Sequence, residues 1–219
     1  MPMEDYKDIV GTCAFVTTMA HMLSPSLMCK DICKKGTAKG VDPMPFIGGL
    51  SMGVIMLQYG YLVQDSTMIN INLFGFFVNF VYTLIYYFYS PDKISCLITL
   101  SKAVAFVAVV LGYTKIESQE HIEYRFGIVT TVLFLLLIAS PLFNLGEIIR
   151  TKSTAMLPFP LIFMGTIVSF QWLLYGLIIN NAFIIFQNAV GFVLSFTQLS
   201  LFAIYPSTPV EEKADKKEN

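Results

Sequence analysis

The chain alternates long apolar runs with short polar interruptions. The runs cover 9–29, 44–63, 67–89, 97–113, 126–146, 157–179 and 182–205. Their lengths are close to the roughly 20 residues a helix needs to cross the hydrocarbon of a bilayer. None alternates with a period of two, as the strands of a membrane barrel would. In lipid a helix satisfies its own backbone groups. The pattern therefore predicts an all-α membrane protein with seven transmembrane helices.

The polar interruptions orient those helices. Lys and Arg in short loops mark the cytosolic side. Eleven (Lys30, Lys34, Lys35, Lys39, Lys93, Lys102, Arg150, Lys152, Lys213, Lys216 and Lys217) fall on one side, and three (Lys7, Lys115 and Arg125) on the other. The N-terminus is thus predicted outside and the C-terminus in the cytosol. Lys102 lies inside an apolar run, where it either snorkels to the cytosolic interface or pairs with Glu147. "MPMEDYKD" is not a basic leader, so no cleaved signal peptide is expected.

The chain also repeats itself. Tyr59-Gly60 recurs as Tyr175-Gly176, 116 residues later, and the same offset relates Asn72 to Asn188, Gly75 to Gly191, and Ser24-Pro25 to Ser140-Pro141. Such self-similarity marks a duplicated unit. Three helices per unit and one linker helix make the two repeats parallel, a 3+1+3 plan known among transporters. The expected divisions are a first three-helix repeat at 1–90, a linker helix and outer loop at 91–123, a second three-helix repeat at 124–205, and a disordered cytosolic tail at 206–219.

Composition narrows the chemistry. Charged residues make up 13% of the chain, against about 25% in soluble domains. No intramembrane carboxylate is evident, as an ion-coupled pump would need. Passive movement of a neutral solute fits better. Cys13, Cys29, Cys33 and Cys96 suggest no disulfide framework, and the loose metal-like spacing of Cys29 and Cys33 has no second pair or nearby His to support it, so no metal and no cofactor is expected. No nucleotide loop, catalytic triad or nucleic-acid module is recognisable, so neither an enzyme nor a nucleic-acid binder is expected. His21 reads as packed within its helix rather than as a proton relay.

Asn72 and Asn188 are the informative polar pair. An amide both donates and accepts, as sugar hydroxyls do; the plainer role is interhelical hydrogen bonding. Trp172, sixteen residues before Asn188, can stack on a sugar ring or belong to an interfacial belt. Its repeat mate is Met56. Pro25 and Pro141 sit in the last turns of their predicted helices, and Pro45 and Pro158 near helix starts. Together they form a candidate inner gate, although the latter two can simply open their helices. Tyr59 and Tyr175, beside glycines, are candidates for an outer gate or ordinary interfacial tyrosines.

The motifs SPS (24–26), VDPMPF (41–46), LQYG (57–60), ININLFG (69–75), IIRTKSTAMLPFP (148–160) and WLLYG (172–176) together resemble the SWEET, or saliva, family of sugar transporters, over about residues 9–205. The resemblance implies a bidirectional, gradient-driven uniporter of mono- or disaccharides that works by alternating access. It places sugar contacts at Asn72, Asn188 and Trp172, with Met56 at the position tied to sugar size. It assigns the inner gate to Pro25, Pro45, Pro141 and Pro158, and the outer gate to Tyr59 and Tyr175. It also implies homo-oligomers, in the plasma membrane or the Golgi. Met56 stands where Ser or Trp is frequent in the family, and Gln187 and Asn181 stand where Pro and Asp are. A proton-coupled exporter of the PQ-loop type and a seven-helix receptor are the alternatives; the Ser-Pro dipeptides argue against the first and the internal duplication against the second.

Overall fold

The computed structural model describes residues 3–154, 157 and 159–206. After a 3-10 turn at Met3–Tyr6 come eight α-helices: α1 (Lys7–Met22), α2 (Ser26–Lys35), α3 (Met44–Leu62), α4 (Ser66–Tyr89), α5 (Lys93–Ile116), α6 (Ile122–Thr151), α7 (Phe159–Ile178) and α8 (Ala182–Ile204). No strand occurs among the described residues. Of the candidate gate residues, Pro158 lies outside them, as does the tail beyond residue 206.

Four helices, α4, α5, α7 and α8, are each long and apolar enough to cross a membrane. Helix α5 shows what surrounds them. Only 11% of its most apolar stretch is buried, and Ile94, Leu97, Ile98, Val104, Phe106 and Val109 are all exposed. In water such a surface would drive association; in a bilayer it is the face that meets lipid. Lys102 is exposed on the same helix, in keeping with a side chain that reaches for the interface. The side chain of Glu147, its other suggested partner, is outside those described.

The first apolar run departs from expectation. It is not one helix ending near Pro25 but two helices, α1 and α2, separated by a turn at residues 23–25. Proline has no N–H to give the carbonyl four residues back, so the chain tightens: Ser24 N–H bonds to His21 O at 3.1 Å and Ser26 N–H to Leu23 O at 3.0 Å. The Tyr82 hydroxyl lies 3.3 Å from both the Met22 and Leu23 carbonyls and serves the acceptors that the break exposes. Helix α2 then starts at Pro25 and ends at Gly36, whose left-handed backbone (φ 67°) lets its N–H return to Cys33 O. Lys34 and Lys35 occupy its last turn, where the helix dipole favours cations.

Two tight turns are built alike. Gln64 and Asn180 both adopt positive φ, 55° and 53°. Asp65 then caps α4 by accepting from Met68 N–H at 2.9 Å, and Asn181 caps α8 by accepting from Phe183 and Ile184 N–H at 3.1 Å. The Asp65 and Asn181 N–H groups return to Gly60 O (3.1 Å) and Gly176 O (3.0 Å). The two glycines permit this closeness. A Cβ on Gly60 would lie 3.2 Å from Ile69 N, and one on Gly176 would lie 3.1 Å from Ile185 N. The Tyr-Gly echo is therefore a turn requirement, repeated because the turn is repeated.

The helices form two compact units, Thr18–Thr130 and Met1–Thr17 with Thr131–Asn219. In the first, α3 packs on α4 and α5, and α2 on α4. Its core gathers Cys29, Ile32, Ala38, Phe46, Tyr82, Tyr86 and Cys96. The Tyr86 hydroxyl donates to Val41 O at 3.2 Å, tying down the loop before α3. In the second unit α7 packs on α8. Ile148, Leu157, Ile162 and Leu201 form its core, and Thr154 N–H bonds to Pro206 O at 3.1 Å.

At the end of α5, Glu117 accepts from the Tyr113 hydroxyl and from Arg125 Nη1, both at 2.6 Å, and from Ser118 N–H at 3.0 Å. The Tyr113 bond, then the Arg125 bond, pull its carboxyl from the ordinary value near 4.5 down to about 2. A depressed carboxylate value means that the clasp is complete above about pH 4.5 and is lost as pH falls through about 2.

Two predictions follow from these contacts. Gly176→Ala should push α7 from α8 and lower the thermal unfolding midpoint in detergent, whereas Gly112→Ala, at a position with nothing within 4 Å, should not. In carboxyl-labelled NMR titrations, Glu117 should stay ionised at pH 4, and Tyr113→Phe should raise its midpoint more than Arg125→Ala does. A Glu117 midpoint at the ordinary value would show that the clasp does not form.

Candidate functional site

The tight turns fix the level of the candidate contact residues. Met56 and Asn72 lie eight residues before and after Gln64; Trp172 and Asn188 lie eight before and after Asn180. At 1.5 Å of rise per residue, each pair comes level about 12 Å from its turn. That is well inside a hydrocarbon core about 30 Å thick. All four side chains are half-buried.

The two asparagines are held in the same way. Asn72 Nδ2 donates to Met68 O at 2.8 Å, and Asn188 Nδ2 donates to Ile184 O at 2.9 Å, each four residues back on its own helix. One N–H is thereby spent. The second N–H and the carbonyl oxygen of each amide remain for a ligand. Neither is a buried atom left unpaired; among the described residues His21 Nδ1 alone is that. His21 is thus packed without a relay partner for this nitrogen.

Within the second unit, Trp172 meets the Tyr175 ring edge-on at 5.5 Å between centroids. Its neighbour Gln171 accepts from the Thr17 hydroxyl. Gln187, beside Asn188, is 3% exposed and donates through Nε2 to Thr131 Oγ1 at 2.8 Å. Gln171 carried no signal in the sequence, since a lone glutamine in an apolar run has no periodicity and its partner sits far off in the chain.

The gate candidates divide. Tyr59 and Tyr175 are fully buried, which rules out their being interfacial tyrosines. Pro25 stands at the α1–α2 break rather than in a last helical turn. Pro45 is in the first turn of α3, where proline fits without disruption. Pro141 lies inside α6, ten residues before its end at Thr151, and its side chain is outside those described. Asp65 is the only buried carboxylate among the described residues, and it serves as a helix cap. No cluster of potential metal ligands occurs among them.

The sequence pattern of a family described as sugar efflux transporters for intercellular exchange matches this chain twice, over residues 8–94 and 124–209. The two matches begin 116 residues apart (124 − 8), the offset of the Tyr-Gly echo. The chain belongs to the SWEET family. Among its relatives, the sugar transporter SWEET1 of Drosophila pseudoobscura pseudoobscura is 33% identical, over 91% of this chain and 89% of that protein. The bidirectional sugar transporter SWEET10 of Arabidopsis thaliana is 32% identical, over 93% and 73% respectively. The solved structure of a eukaryotic SWEET transporter superposes with a TM-score of 0.84 at 26% identity, covering 92% of this chain and 97% of that one. The SWEET architecture is therefore present: seven membrane-crossing helices, two parallel repeats of three joined by a linker helix. Seven crossings accommodate eight helices because α1 and α2 divide the first apolar run between them.

Proposed function

We propose that this chain is a sugar uniporter that carries glucose-like mono- or disaccharides in either direction down their gradient, by alternating access. The observation that carries the reading is the pair of asparagines at matching positions, each with one N–H bound to its own helix and a donor and acceptor left over. A neutral polyol needs that mixed pattern, and an ion needs a charge or a ring of oxygens. In this reading Asn72 and Asn188 hydrogen-bond the sugar. Trp172 supplies an apolar ring face, and Met56, its smaller counterpart, contributes to size selection.

The gates are assigned on the same basis. Tyr59 and Tyr175 close the outer side, a role supported by their burial next to the glycine turns. Pro25, Pro45, Pro141 and Pro158 shape the inner side, a role supported by the chain break at Pro25. The carrier works in the plasma membrane, and in the Golgi, with its N-terminus outside and its C-terminus in the cytosol. It assembles with further copies of itself and has no catalytic activity.

Labelled glucose should equilibrate into vesicles carrying the purified protein without any ion gradient. Asn188→Ala should abolish that flux at unchanged incorporation. Retained flux in this variant would remove Asn188 from the site, and uptake that requires a pH gradient would replace the uniporter with a proton-coupled carrier.

A further inference from the structure

The second repeat carries a polar pair with no counterpart in the first. Gln171 immediately precedes Trp172, and Gln187 immediately precedes Asn188. The positions 116 residues earlier are Ile55 and Ile71, which precede Met56 and Asn72. Both isoleucines are almost fully buried, at 1% and 2% exposed, and Gln187 at 3% occupies an equally buried place. Ile55, Ile71 and Gln187 are thus packed directly before half-buried contact residues, and Gln171, before Trp172, is itself half-buried. The first repeat packs them as hydrocarbon, and the second as amides.

The amides have specific partners. Gln171 takes the Thr17 hydroxyl of α1, and Gln187 gives its N–H to Thr131 Oγ1 of α6 at 2.8 Å. Successive helix residues point about 100° apart. A helix pinned by one side chain to a neighbour therefore has the direction of the next side chain set as well. Apolar packing permits small rotations at little cost, since dispersion contacts are non-directional and numerous. A hydrogen bond weakens steeply as it bends. A buried amide that loses its partner is also penalised by the cost of desolvation.

We infer that Gln171 and Gln187 are positioning residues for sugar binding: through Thr17 and Thr131 they fix the rotation of α7 and α8, and so the aim of Trp172 and Asn188. This deepens the uniporter reading and rests on it for the sugar itself. Two hydroxyl–amide bonds hold the ring platform and the amide at one angle to each other within the second unit. The first repeat, packed through Ile55 and Ile71, lacks such bonds.

The test uses isosteric variants of the threonines, which leave the glutamines and the contact residues in place. Trp172 is the only tryptophan in the protein, so its fluorescence reports on one site. Thr17→Val should raise quenching of Trp172 by acrylamide and lower its anisotropy, and Thr131→Val should leave both unchanged. In vesicles each variant should raise the KM for glucose by about three- to tenfold, the scale of one hydrogen bond, with little change in maximal flux. Thr17→Ser and Thr131→Ser, which keep the hydroxyl, should restore wild-type values. The inference is overturned if the Val variants lower the unfolding temperature but leave KM and the Trp172 signal untouched, or if the Ser variants fail to restore them. Should the wild type carry no sugar, the transport reading falls, and the Trp172 signal still decides whether Gln171 holds the indole.

Discussion

A bilayer offers no water to a peptide group, and each part of this fold answers that constraint. Within the helices the backbone satisfies itself. The difficulty moves to the ends and breaks, where orphan groups accumulate. Asp65 and Asn181 cap α4 and α8, and the returning N–H of each bonds to a glycine carbonyl at the end of the preceding helix. Where Pro25 interrupts the first run, Tyr82 reaches across from α4 to the exposed carbonyls. These repairs give the chain fixed corners, and the corners set the depth of the asparagines.

The apolar runs made most of the fold legible. Their lengths placed the membrane crossings, and the echo at 116 residues exposed the duplication, because both repeats need the same glycine-backed turn. The break at Pro25 was hidden, since apolar residues continue to Cys29 and hydropathy does not register a missing N–H. The burial of Tyr59 and Tyr175 was hidden too: a tyrosine near the end of an apolar run looks the same whether its hydroxyl meets water or protein. Of the candidate site, the asparagines stood out because the 116-residue offset pairs them in runs nearly free of charge. The bonds that hold them to their own helices follow from the spacing of four in any helix. Gln171–Thr17 and Gln187–Thr131 join distant segments, which no local pattern encodes.

The two repeats share a backbone plan and differ in chemistry. Their tight turns share a positive φ, 55° at Gln64 and 53° at Asn180. Yet Met56 stands at the position that Trp172 holds in the second repeat, and Ile55 and Ile71 occupy the places of Gln171 and Gln187. Duplication supplies matching levels and matching amides, while divergence in the flanking residues leaves one repeat aromatic and amide-bearing there and the other aliphatic.

The self-bonded amides arrive already ordered. Because Asn72 and Asn188 each satisfy one N–H on their own helices, each side chain is held in place before any ligand arrives. An amide held in advance gives up little side-chain freedom when a polar group meets its remaining donor and acceptor.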